Sequence, residues 1–308
     1  MTDVIAAARA TIARAGFFAS ADPARLQVRR LGGLTNLVFR VDYDGGAYCV
    51  RIPGKGTEEY IDRKVEAHAA KAAAQAGVSP ELLWFGDDGL MVTRYLDHTT
   101  TMTPDLFKST VGAPLRAGKV FKQLHISGQT FNFRFELFRM IDEYLKVLST
   151  KEVSFPEGYH DVLKEAEGVR AALNARPLPL APCHCDPLCE NFLDTGTRMW
   201  LVDWEYSGMN DPMWDLGDLS VEAGFDVVEE EEMLLGYFGG EPSRQERGRM
   251  VIYKAMCDLL WTLWGLIQHA NKNPVDDFWA YAVNRFERCK NLMGSSGFAG
   301  HVAAVKAG

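Results

Sequence analysis

Positive charge is in short supply in this sequence: 33 Lys and Arg stand against 41 Asp and Glu over 308 residues, a net charge of −8 with histidine neutral. General nucleic-acid binders hold phosphate backbones with Lys and Arg. That class is excluded, and no nucleic-acid partner is expected. A local cluster for a nucleotide is still allowed, and an acidic surface weakly favours a cationic small molecule. Unbroken apolar runs are also missing. Met1 to Ala19 is Ala-rich, but Asp3, Arg9 and Arg14 interrupt it, so it reads as an amphipathic helix and not as a leader. Met250 to Ala270 is the most apolar long stretch, yet it carries Lys254 and Asp258 and reads as a buried helix, with no membrane insertion. A cytoplasmic protein is expected. Internal repeats and low-complexity tracts are absent. Of six cysteines, only Cys183, Cys185 and Cys189 cluster, with His184 between them. Those are zinc-ligand residue types. However, consecutive strand residues face opposite sides, and no second C-x-x-C pair supplies the missing ligands. Cys49, Cys257 and Cys289 lie scattered in apolar segments and read as buried thiols.

What is present is ordinary soluble-protein composition, 47% hydrophobic and 24% charged, at a length that suits one two-lobed unit or two domains. The first part, residues 1–95, is β-rich. Leu26 to Leu31, Asn36 to Tyr43, Ala47 to Ile52, Leu82 to Phe85 and Leu90 to Tyr95 are short β-type runs, with Asp44-Gly45-Gly46 and Asp87-Asp88-Gly89 as turns. Glu58 to Ala76 reads as one helix closed by Gly77. Residues 96–308 are mainly helical. After the polar connection Asp97 to Thr103, helices are expected over Asp105 to His125, Phe131 to Leu148, Tyr159 to Leu173, Trp214 to Ala223, Val227 to Phe238, Ser243 to Ala270 and Pro274 to Leu292. The Gly/Ala-rich tail, Gly294 to Gly308, reads as poorly ordered. The fold class is α+β: a small β-rich N-lobe with one main helix, then a larger, mostly helical C-lobe.

The chemistry is concentrated in Pro182-Cys183-His184-Cys185-Asp186-Pro187-Leu188-Cys189-Glu190-Asn191 and in Leu201-Val202-Asp203-Trp204-Glu205. The pattern H-x-D-x-x-x-x-N followed by an Asp after an apolar run is the spacing of a phosphotransferase catalytic loop and metal aspartate. Phosphoryl transfer needs a carboxylate to orient the attacking hydroxyl and accept its proton, and oxygen ligands to hold Mg2+ against the phosphates. Asp186 fits the first role, and Asn191 and Asp203 the second. Asp203 follows Asp186 by 17 residues, room for a hairpin of Asn191 to Asp194 and Met199 to Val202 that returns Asn191 and Asp203 to one end.

The phosphates of ATP need a loop and a cation. Gly32-Gly33-Leu34-Thr35-Asn36 lies between the first two strands; its glycines let backbone N–H groups approach an anion, and Thr35 and Asn36 add side-chain donors. Arg51, a charge inside the apolar run Tyr48 to Ile52, needs a partner or a ligand. Glu66 in the next helix is the expected partner, with Glu58 and Glu59 as alternatives nearer the helix start. His125 reads as structural. Asp215 reads as a helix cap or as a hydrogen-bonding support for the catalytic loop.

Gly32-Gly33-Leu34-Thr35-Asn36, Arg51, His184-Cys185-Asp186 with Asn191, and Val202-Asp203-Trp204-Glu205-Tyr206-Ser207 resemble the choline/ethanolamine kinase family, which groups with the aminoglycoside phosphotransferases and has a protein-kinase-like two-lobed fold. The similarity runs from Leu26 to Arg285. The Asp-x-Glu-Tyr-Ser form and the Arg in the third strand look more like choline kinases than aminoglycoside phosphotransferases. Trp261 to Gln268 is similar to the family's choline-pocket helix. Trp261 and Trp264 share one helix face, and Phe278 and Tyr281 repeat that spacing on the next helix. The resemblance therefore implies an ATP- and Mg2+-dependent kinase acting on choline or a close amino-alcohol such as ethanolamine. The four rings would hold its cationic head, and Glu205 and Glu222 would add negative charge. Phe278 departs from a Tyr used by family members, and Cys185 and Pro187 are not the commonest residues beside the catalytic Asp. A kinase of thiamine or of an aminoglycoside, an inactive ligand-binding relative, and a homodimer all stay open.

Overall fold

The computed structural model describes residues 2–32, 36–54 and 61–308. The N-lobe begins with helix α1 (Thr2–Ile12). Strands β1 (Gln27–Gly32), β2 (Leu37–Tyr43) and β3 (Gly46–Ile52) follow, then helix α2 (Arg63–Gln75) and strands β4 (Leu82–Phe85) and β5 (Met91–Arg94). The five strands form one antiparallel sheet in the order β1-β2-β3-β5-β4. The inward side chains Phe39, Val41, Val50 and Val92 are fully buried, and Ile12, Ala15 and Phe18 from the N-terminal segment pack over them. Alternation along β2 and β3 thus turns one sheet face to a core and fixes their register, Val38 opposite Arg51 and Phe39 opposite Val50. The described part of the expected Glu58–Ala76 helix starts late. Asp62 is extended and its carboxylate accepts from the N–H groups of Lys64 and Val65, so the helix begins at Arg63.

The C-lobe continues with β6 (Thr100–Thr101), α3 (Pro104–Ser109), α4 (Ala113–His125), α5 (Leu137–Leu148), α6 (Tyr159–Ala175) and β7 (Ala181–Cys183). The hairpin β8 (Phe192–Asp194) and β9 (Met199–Leu201) comes next, then β10 (Gly208–Asn210), α7 (Met213–Glu222), α8 (Val227–Phe238), α9 (Arg244–Ala270), α10 (Phe278–Met293) and α11 (Phe298–Ala307). Helix α9 is the hub, packed by α5, α7, α10 and α11. It is long and apolar enough to cross a membrane, but most of it is buried inside the lobe.

Several expectations are corrected here. The single helix expected over Asp105 to His125 breaks into α3 and α4, because Gly112 takes a left-handed conformation, φ 70°, and caps a new helix. The helix expected from Phe131 begins only at Leu137: Phe133 and Phe135 instead exchange backbone hydrogen bonds with Met209, at 2.8 and 3.1 Å. Helix α10 starts at Phe278, not Pro274, since Asp277 caps it by accepting from the Ala280 N–H. The tail is not poorly ordered; it forms α11. Phe298 and Val305, seven residues apart and so on one face, are buried against α9. The approach is close because residue 248 of α9 is glycine: a Cβ there would lie 2.9 Å from the His301 carbonyl oxygen. Phe298→Ala is expected to lower unfolding stability by about 3–5 kcal/mol in urea titration; an unchanged midpoint would mean α11 does not contribute to the core.

Candidate active site

Strand β7 delivers the chain into the segment Cys183 to Leu188, and a 3-10 turn, Cys189–Asn191, leads out of it into β8. The hairpin pairs Phe192 with Leu201. The Val202 N–H then donates to the Asn191 carbonyl at 3.0 Å, which closes the hairpin base with Asn191 and Asp203 side by side in the chain path. The Asn191 amide nitrogen donates to the Asp186 carbonyl at 3.0 Å, so the loop is tied across itself.

Two non-glycine residues of this segment sit in the left-handed region, Cys185 at φ 68° and Asp203 at φ 70°. Such conformations cost roughly 1–2 kcal/mol each and persist only where neighbours hold them. Asp215, fully buried in the first turn of α7, does so for Cys185. Its carboxylate accepts from the backbone N–H groups of His184 (2.8 Å) and Cys185 (2.9 Å) and from His125 Nε2 (2.9 Å). The Trp214 indole donates to the Cys185 carbonyl at 3.1 Å. The His184 ring then reaches across and donates to the Val202 carbonyl at 2.8 Å, next to Asp203. Burial pushes the His184 imidazole below its usual range, so it stays neutral. His125 is in turn bonded by the Tyr237 hydroxyl at 3.0 Å. His125 and Asp215 are therefore the scaffold of the loop. Asp186 is half-buried, and burial, with Glu222 and Glu205 nearby, pushes its carboxyl up to about 7, against the pull of Arg285.

A second group of charges lies where β3 and α2 meet the end of the hairpin. Arg51 is 4% and Glu66 1% exposed, and they form a direct ion pair. Arg51 also stands 3.5 Å from Asp203 and 3.7 Å from Glu205, and it donates to the Gly89 carbonyl at 3.1 Å. Arg63 bridges the same two glutamates, 2.6 Å to Glu66 and 3.1 Å to Glu205. Asn36 donates to Glu205 and accepts from the Gly54 N–H at 3.1 Å. Glu205, expected beside the rings, thus belongs to this cluster by its contacts. Burial and the negative charges of Glu205, Glu66 and Asp186 push the Asp203 carboxyl well above the usual range, with Arg51 opposing. Gly32 ends β1, whereas Gly33, Leu34 and Thr35 lie outside the described residues, as do Glu58 and Glu59.

The aromatic residues form a third group. Trp264 on α9 packs edge-on against Phe278 (5.5 Å between ring centres), Tyr281 (5.7 Å) and Trp261 (6.4 Å). Tyr206, one residue beyond Glu205, packs against Trp261 at 5.6 Å and ties the rings to the hairpin end. Trp261 and Phe278 are buried, while Trp264 and Tyr281 are partly exposed. Behind Tyr281, the Arg285 guanidinium carbon lies 4.9 Å from its ring centre. Arg285 pairs with Glu222 at 2.5 Å and with Asp258 at 3.2 Å. Tyr281 and Arg285 also line a cavity of about 460 Å³ whose edge carries Asp276 and Asp277.

The sequence assigns no site role to Arg63, to Arg285 or to Tyr206, the last of which figures in it only as part of the Val202 to Ser207 motif. Two of them had a readable signal: Arg63 precedes Glu66 by three residues and Arg285 follows Tyr281 by four, both neighbours on a helix face. The zinc reading finds no support. Cys183, Cys185 and Cys189 are buried. Of them only Cys183 joins a group with convergent ligand atoms among the described residues, and that group is the His125–Asp215 scaffold.

The two lobes, the tethered Asp186 loop and the carboxylates at the hairpin end define a phosphotransferase of the protein-kinase-like class. The sequence model of the choline/ethanolamine kinase family matches residues 28–235, and the chain belongs to that family, whose members are small-molecule kinases. It is 61% identical to a choline/ethanolamine kinase family protein from Mesorhizobium loti of known structure (98% of each chain covered, TM-score 0.90). It is 28% identical to the choline kinase LicA from Streptococcus pneumoniae (87% of this chain and 93% of that one, TM-score 0.73). Ethanolamine kinase 2 of Mus musculus is 27% identical over 86% of this chain and 76% of its own length.

The scaffold role makes a definite expectation. Asp215→Asn turns an amide nitrogen toward donors that need an acceptor, so the loop should shift. The turnover rate should fall roughly 100-fold with little change in nucleotide KM; steady-state kinetics would show it, and an unchanged rate would remove Asp215 from the loop's support.

Proposed function

We propose that this protein transfers the γ-phosphoryl group of ATP to the hydroxyl of choline, giving phosphocholine. The observation that carries this reading is the ring cluster of Trp261, Trp264, Phe278 and Tyr281, joined to the catalytic segment through Tyr206. A quaternary ammonium has no N–H to donate. It is recognised by π-faces, each favourable contact contributing roughly 0.5–2 kcal/mol. Ethanolamine, with a hydrogen-bonding ammonium, would gain more from free carboxylates, and Glu222 beside the rings is already paired with Arg285.

Asp186 orients the choline hydroxyl and takes its proton as the oxygen–phosphorus bond forms and the bond from the γ-phosphorus to the bridging oxygen breaks. Arg51 and the Gly32-to-Asn36 loop serve the phosphates, with Glu66 and Arg63 fixing Arg51 from behind. Asp203 and Asn191 fit a hard cation such as Mg2+: the Asn191 amide nitrogen is committed to Asp186, leaving its oxygen as the donor, and Asp203 lies among carboxylates in excess of Arg51. Bound there, Mg2+ would neutralise phosphate charge.

Magnesium-dependent ADP release should be stimulated most by choline when compared with ethanolamine, thiamine, kanamycin and a no-acceptor control. Stronger stimulation by another acceptor would overturn the pocket reading and keep the kinase. Asp186→Ala should abolish turnover while nucleotide binding, followed by calorimetry, persists. In the unsubstituted enzyme kcat/KM should rise with pH through about 7, because only the ionised carboxylate accepts a proton; a flat profile from pH 6 to 8, a range taken around that value, would deny Asp186 the role of base. Trp264→Ala should raise KM for choline roughly tenfold or more and leave KM for ATP nearly unchanged; equal increases would indicate packing alone.

A further inference from the structure

Asp218 on α7, one turn before Glu222, takes no part in the chemistry above, yet its carboxyl is 1% exposed. Its Oδ1 accepts from the Cys257 thiol at 2.7 Å. Its Oδ2 has no hydrogen-bond partner among the described residues. Buried carboxylates are normally satisfied by several donors or by a cation. Here the cations are committed elsewhere: Arg285 to Glu222 and Asp258, and Arg288 to Asp258 at 2.5 Å. The carboxyls of Asp218, Glu222 and Asp258 therefore gather around one buried guanidinium, that of Arg285, which lies over the Tyr281 ring, while Arg288 reaches Asp258 from the exposed side.

Asp218, Glu222 and Cys257 offer ligand atoms within 4.8 Å of one another. A metal ion among them would face Arg285, whose Nη1 lies 4.0 Å from the Cys257 sulfur. A singly charged organic head group against the rings would require no existing pair to break. We propose that Asp218 is a specificity-determining residue of the acceptor pocket, whose unpaired buried carboxyl favours a cationic head group over an uncharged one of the same shape. This rests on the choline reading above. Burial, with Glu222 on its own helix and Asp186 on the loop, raises the proton affinity of the Asp218 carboxyl, while Cys257 on α9 and Arg285 on α10 lower it. A cation at the rings adds to the latter, favours the ionised carboxylate and is held by it.

The test compares choline with its uncharged carbon isostere, in which a tert-butyl group replaces the trimethylammonium group, on the unsubstituted enzyme and on Asp218→Asn. The substitution should narrow the preference for choline roughly tenfold through KM for choline, with KM for the isostere and for ATP unchanged. Parallel increases for both acceptors, or no change in their ratio, would overturn the proposal, since a packing defect does not read charge. An unsubstituted enzyme that phosphorylates neither would sink the choline reading and this proposal together. Thermal unfolding would verify that the variant is folded, and Asp218→Ser, which keeps an acceptor for the Cys257 thiol, serves if Asp218→Asn does not fold.

Discussion

The buried carboxylate of Asp215 is the constraint on which the site hangs. A charge inside the core is tolerated only when donors surround it, and three do so: His125 from α4 and two successive backbone N–H groups of the Asp186 loop. Hydrogen bonds to a charged group contribute about 1.5–3 kcal/mol each, which exceeds the left-handed strain at Cys185. The need of one acid for donors and the need of one strained loop for an acceptor are met by the same contacts. The loop thus hangs from two helices of the C-lobe, and the core sets the position of Asp186 through that tether.

A different logic joins the lobes. Arg51, Arg63, Glu66 and Glu205 come from a strand, a helix and the far end of the hairpin, and they neutralise one another with little water access. Buried ion pairs stabilise little, because desolvation offsets attraction; what they do well is punish misplacement. Sliding the N-lobe against the C-lobe would separate these charges. The backbone bond from the Leu201 N–H to the Val78 carbonyl (2.8 Å) and the Trp204 indole bond to Ser79 (3.0 Å) add neutral restraints at the same junction. Asp203, which shares Arg51 with Glu66 and Glu205, and Asp218, whose Oδ2 no donor among the described residues reaches, are left less fully neutralised than these pairs.

Much of this organisation was legible. Short apolar and β-branched runs bounded by turn residues marked β2, β3 and β4 almost to the residue, and the Asp186–Asn191–Asp203 spacing located the hairpin, because a hairpin's return is dictated locally by strand length and turn. Helix starts were less legible. Whether Asp62, Gly112 or Asp277 caps a helix depends on one residue leaving helical geometry, and residues on both sides had helix-compatible pattern. The tail misled for another reason: its composition is poor in large apolar residues, and α11 is held by two anchors and by the missing side chain at Gly248, a feature of its partner. At the site, Glu66 was readable as the partner of Arg51, whereas Arg63 was passed over because a surface-like charge at a helix start has no local sign of burial.

Sequence by itself determined which chemistry was available: a carboxylate, an amide and a second carboxylate at fixed spacing, a lone Arg in an apolar strand, and rings repeating at helical intervals. These follow from covalent order and helix or strand period alone. Only the tertiary structure decided how the acids were shared out. Glu205 and Glu222 look alike in the sequence, yet one is clamped by Arg51 and Arg63 and the other by Arg285, while Asp218 is buried with an oxygen that no donor among the described residues reaches. Pairing depends on which charged side-chain atoms approach within about 4 Å and on what water is excluded. Those are properties of packed elements far apart in the chain.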